Sequence, residues 1–90
     1  TPMNPTLARI HNHARASRSR VALRCESGTW TYAQLWRRVE ALACDLMTNG
    51  IEPGDRVAIL LPRSPELIVA LLAVMLAGAA YVPIDPEYSH

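Results

Sequence analysis

This sequence contains no lysine: all nine of its basic residues are arginine. Its one strand-to-helix turn, Leu61-Pro62-Arg63-Ser64-Pro65, contains no glycine. Backbone that carries a side chain at every position cannot wrap a phosphate closely, so this turn is not a phosphate loop. Gly-x-Ser-x-Gly and His-Glu-x-x-His are absent, and no acidic pair has spacing suited to acid–base work. The commoner signatures of hydrolases and zinc peptidases are thereby excluded. Cysteine is scarce. Cys25 and Cys44 show neither Cys-x-x-Cys nor Cys/His ligand spacing, and they read as two buried thiols in a reducing compartment. His11 and His13 stand two apart on an expected helix, about 200° apart around its axis, and share no metal-binding face. The opening residues do not resemble a secretory leader.

Charge is nearly balanced at +1, but it is unevenly placed. Residues 1–38 hold seven arginines against Glu26 alone, whereas residues 39–90 hold Arg56 and Arg63 against seven carboxylates. A basic half can mark nucleic-acid or anionic-membrane contact. Here the arginines are dispersed and no nucleic-acid motif accompanies them, so solvated faces are the expectation and no nucleic-acid partner is expected.

Half of the 90 residues are hydrophobic and 19% are charged, a globular composition. So short a chain can hide only about 60–65% of its unfolded surface. Yet Leu67 to Val82 holds no charged residue. That run is too short and too broken, by Gly78 and then by Pro83 and Asp85, to span a membrane, which takes about 20 apolar residues.

The periodicities predict an α/β chain. Pro5 to Ser17 reads as a helix with a thin stripe of Leu7, Ile10 and Ala14. Val21 to Glu26 and Thr29 to Tyr32 flank Ser27-Gly28 as a β-hairpin, with Val21, Leu23 and Cys25 on one face and Trp30 and Tyr32 packed together. Ala33 to Asn49 is an amphipathic helix with a stripe of Leu35, Trp36, Val39, Leu42, Ala43, Leu46 and Met47; Thr31 or Tyr32 lies at its start and Asn49-Gly50 at its stop. Glu52 to Asp55 is a turn. Val57 to Leu61 does not alternate and reads as a strand buried on both faces, the mark of a parallel sheet. Ser64 caps, and Pro65 and Glu66 open, a helix whose stretch Leu67 to Ala77 is apolar all round and stops at Gly78; Ala80 to Ile84 is a second buried strand. The result is a βαβ unit with an expected right-handed crossover. A helix apolar on every side needs cover on every side, and two parallel strands leave two open edges. The expectation is therefore a piece of a larger sheet. Ser64 beside Arg63 could hold an anion, and Asp85 lies at the carboxyl end of a strand, where open α/β sheets bind ligands; a plain helix cap and a turn residue are the readings preferred.

Three collinear stretches carry a family resemblance. Leu76-Ala77-Gly78-Ala79-Ala80-Tyr81-Val82-Pro83-Ile84-Asp85-Pro86 closely resembles the second core motif of amino-acid adenylation domains of nonribosomal peptide synthetases, with Leu76 in place of the usual lysine. Thr31-Tyr32-Ala33-Gln34-Leu35 resembles the first core motif, with Gln34 in place of glutamate. Gly54 to Glu66 resembles the stretch between them. The resemblance implies that residues 1–90 are the leading part of one such domain, with residues 1–32 as helix and hairpin and residues 33–90 as helix plus βαβ unit.

For the parent, the resemblance implies ATP and Mg2+, formation of an aminoacyl-adenylate, and a carrier domain bearing phosphopantetheine, in the cytoplasm. The family's phosphate loop, substrate pocket, ribose-binding acid and catalytic lysine have no counterpart among these residues. The residue-by-residue transfer therefore assigns no catalytic, cofactor-binding or metal residue, and the chain is expected to be inactive alone, with the remainder of the domain as its first partner. The other reading is a stand-alone interaction module that self-associates through its sheet edges.

Overall fold

The computed structural model of the chain describes residues 4–84. The elements run α1 (Pro5–Ala16), β1 (Val21–Cys25), β2 (Gly28–Thr31), α2 (Tyr32–Thr48), β3 (Arg56–Ile59), α3 (Pro65–Leu76) and β4 (Ala80–Pro83). β1 and β2 form an antiparallel pair, β3 and β4 a separate parallel pair joined through α3. The architecture is the α/β order expected from the sequence.

Each helix starts where a polar cap meets an apolar run. Asn4 Oδ1 accepts from the Thr6 N–H at 2.8 Å and caps α1, with Pro5 in its first turn. Thr31 and Gln34 form a reciprocal capping box: the Gln34 N–H donates to Thr31 Oγ1 at 3.2 Å, and the Thr31 N–H donates to Gln34 Oε1 at 2.8 Å. Ser64 Oγ accepts from the Leu67 N–H at 3.2 Å at the start of α3. α2 stops at Asn49, whose side chain donates to the Asp45 carbonyl at 2.7 Å, and Gly50 follows with φ of 100°. The turn before β3 is closed by Asp55 Oδ2, which accepts from the Glu52 N–H at 2.8 Å. It is also tied to β4, because the Ala80 N–H donates to the Asp55 carbonyl at 2.8 Å. Gly78 makes this junction possible: its φ is 80°, and a Cβ there would sit 3.3 Å from Pro53 Cβ.

The main core joins α1, α2 and α3 through Leu7, Ala14, Leu35, Trp36, Val39 and Leu72, with Leu23, Trp30 and Tyr32 packed against it. A second cluster of Ile59, Ala70 and Val74 holds the parallel pair to α3. α2 lies beside α3. The outer face of β3 and β4 therefore has no cover among the described residues.

Several expectations change. The run 57–61 is not a strand buried on both faces: β3 ends at Ile59, the only one of the five that is buried, and Leu60 is 53% exposed. Pro62 lacks an N–H and restricts the residue before it, which shortens the strand, and no layer lies over its second face. In the hairpin the turn is Glu26-Ser27 rather than Ser27-Gly28, and Tyr32 is the first residue of α2. An irregularity between Val21 and Leu23 breaks the alternation, so Val21 leaves the face that Leu23 keeps and is exposed. Met47 lies beyond the packed part of the α2 stripe and is also exposed.

The capping box gives a direct test. Thr31→Ala should lower stability by about 1 kcal/mol, whereas Gln34→Glu, which keeps the reciprocal acceptor, should be nearly neutral. Urea unfolding followed by circular dichroism measures both, and equal loss in the two variants would contradict the assignment.

Candidate functional site

The residues singled out in the sequence are mostly spent on scaffold work. Ser64 Oγ accepts the Leu67 N–H and donates to the Pro62 carbonyl at 3.0 Å, so its hydroxyl hydrogen is already used. Arg63 beside it is exposed. Thr31 and Gln34 satisfy one another. Asp85 and Pro86 lie outside the described residues.

Neither thiol is buried, contrary to expectation: Cys25 is half-buried and Cys44 exposed, both free. Cys44 follows buried Ala43 and is rotated about 100° away from it around α2, off the packed stripe. Cys25 sits at the hairpin turn, with Sγ 3.1 Å from Ser27 Oγ and 3.3 Å from the Gly28 carbonyl, which accepts from it. The two histidines part as their spacing requires. His11 lies 4.9 Å from the Trp36 ring centroid and His13 stacks on Tyr32 at 4.8 Å. Among the described residues no three of His, Cys, Asp and Glu lie close enough to share a metal ion. No helix among them is long and apolar enough to cross a membrane.

In open α/β sheets ligands gather at the carboxyl ends of the strands. Here those ends present Leu60, Leu61 and Ile84, all exposed and none with a polar side-chain atom. The alternation of a strand puts Ala58 and Leu60 on the face turned away from Ile59 and α3, and the register pairs Ala58 with Val82. Ile84 continues the pairing through its N–H, which donates to the Ile59 carbonyl at 2.9 Å. Leu60, Val82 and Ile84 are 53%, 43% and 41% exposed. This naked apolar face, and not a polar pocket, is the conspicuous feature of the strand ends. Sequence reasoning found the excess apolar surface on the helix and both strands and expected the sheet to continue, but the strand run carried no marker of which face would lack a partner layer.

Sequence reasoning also missed the contact of the Arg38 guanidinium with Trp30, 5.1 Å from the ring centroid. It joins the hairpin to the outward side of α2, and only the tertiary fold brings the two residues together.

The sequence model of the AMP-binding enzyme family matches residues 10–90. The chain is 39% identical over 88 residues, 97% of its length, to bacitracin synthase 3 of Bacillus licheniformis. It is 40% identical over 88 residues, again 97% of its length, to tyrocidine synthase 3 of Brevibacillus parabrevis. In both cases it spans 1% of the longer protein. Among solved structures it resembles NpsA-ThdA, an artificially fused adenylation–PCP di-domain from Klebsiella oxytoca, with 34% identity and a TM-score of 0.85; the match covers 94% of this chain and 16% of that one.

Thiol accessibility can be read chemically. With Ellman's reagent in native buffer, Cys44 should react quickly and Cys25 several-fold more slowly, with two thiols titrated in all. A single rate shared by both, or no free thiol, would contradict these placements.

Proposed function

The chain belongs to the AMP-binding enzyme family and matches the N-terminal part of nonribosomal peptide synthetase adenylation domains; on that premise we propose that it is the leading scaffold of an amino-acid-activating domain. The parent reaction joins an amino acid to ATP, giving an aminoacyl-adenylate and pyrophosphate, and then passes the acyl group to a phosphopantetheine thiol with release of AMP. The residues described here do not fit a nucleotide or Mg2+. The β3–α3 turn has no glycine and its serine hydroxyl is committed, and no metal-binding cluster is present among the described residues. No reaction step runs through these side chains.

The observation that carries this reading is the naked outer face of β3 and β4. Full burial of a Leu or Ile side chain is worth roughly 1.5–3 kcal/mol, and Leu60, Val82 and Ile84 each forgo a large part of it. Parallel strands are almost always covered on both faces. The remainder of the adenylation domain is the layer that would supply the cover. The likeness to an adenylation–PCP di-domain supports a carrier domain as the next partner, and two free thiols suit a cytoplasmic setting. A stand-alone interaction module is not favoured, since the family match runs through residues 10–90.

Two outcomes follow for the chain alone. It should catalyse no amino-acid-dependent ATP–pyrophosphate exchange, and measurable exchange would refute the scaffold role. It should also self-associate or bind a hydrophobic dye through the open face, with less of either in Leu60→Ser/Val82→Thr. A compact monomer in sedimentation that binds no dye would overturn the unfinished-sheet reading.

A further inference from the structure

The fold gathers several of the N-terminal arginines on one surface. The segment after α1 is pinned to the start of α2. The Ala33 N–H donates to the Arg18 carbonyl at 3.2 Å, and the Tyr32 N–H to the Arg20 carbonyl at 3.0 Å. This fixes Arg15 and Arg18 opposite Arg37 around a hollow of about 270 Å³ that Trp36 also lines. Arg37 is shared with an adjoining hollow of about 330 Å³, whose walls include Arg38 and Trp30. Arg38 is held over the Trp30 ring, which restricts it before any partner arrives. Glu40 is the one carboxylate lining either hollow. None of the side-chain hydrogen bonds among the described residues uses an arginine, so no partner among those residues occupies the guanidinium donors.

We propose that this surface, centred on Arg37, is a docking site for an acidic segment of a partner protein. The planar fork of arginine matches a carboxylate bidentately, and four forks around two hollows can receive several carboxylates at once. Arginine and tryptophan, without lysine, is the composition of binding hot spots in protein interfaces. A nucleic acid fits less well. Single-stranded binding relies on free aromatic faces, and here Trp30, Trp36 and Tyr32 are each covered by Arg38, His11 and His13. Glu40 opposes a continuous phosphate chain, while a peptide can place its carboxylates around it. The surface shares no residue with the open face at Leu60, Val82 and Ile84, so the proposal does not depend on the scaffold reading. Shallow hollows and exposed charges predict a weak complex that salt loosens.

The test titrates the full chain into a short fluorescein-labelled peptide of alternating glutamate and alanine, and separately into labelled oligothymidine, with anisotropy read at low and at physiological salt. Saturable peptide binding is expected, weakened at least about tenfold in Arg15→Gln/Arg37→Gln and changed less than about twofold in Arg56→Gln on β3. Arg18→Gln/Arg38→Gln should repeat the loss, and circular dichroism should show native helix in each variant. The proposal is overturned by absence of saturable binding, by equal loss in Arg56→Gln, by loss only in variants that also lose helix, or by tighter binding of oligothymidine than of the peptide.

Discussion

The structure depends on one constraint: α3 has no polar side. From Leu67 to Leu76 every side chain is apolar, so every direction around the helix must be covered by something other than water. α1 and α2 cover one flank through Leu7, Leu35, Trp36 and Val39, with the hairpin packed against them. β3 and β4 lie along the other, β3 covering it through Ile59 and Val57. Once those two layers are placed, α3 is satisfied and the sheet is not, because the strands that cover the helix turn a second apolar face outward. The unfinished part of the molecule is thus displaced from helix to sheet.

The motif residues make sense in that frame. Thr31 and Gln34 set the start of α2, and the glutamate usual at that position would close the same capping box. Gly78 lets the chain turn against Pro53, and the backbone bonds from Gly54 to Gly78 and from Ala80 to Asp55 lock the end of α3 to the turn before β3. These residues build the layer; none of them offers a reactive group. A family resemblance carried by such positions identifies the fold and its parent without locating chemistry.

Much of this was legible in the sequence because it rests on local signals. Caps at Thr31 and Ser64, the stops at Asn49-Gly50 and Gly78, and the helical stripe of α2 each depend on residues a few positions apart. What was not legible depends on tertiary neighbours. The exposure of Leu60 and Cys44 depends on which layers exist, and the contact between Arg38 and Trp30 depends on how the hairpin lands on α2. Val21 leaves its face because of one irregularity in the β1–β2 ladder, for which no glycine or proline in that strand gave warning. The candidate site was the least legible part, since a missing neighbour leaves no mark in the sequence of the face that lacks it.

The parallel pair is the incompletely covered layer of an otherwise packed unit. Amide hydrogen exchange, residue by residue, tests it most directly. Amides within α2 and α3, such as those of Val39, Ala43 and Ala73, should exchange slowly, and the ladder amides of Val57, Ile59 and Val82 much faster, through local opening of the two-stranded pair. Protection of those strand amides equal to that of α2 and α3 would mean that the pair is as firmly held as the helices and needs no further layer.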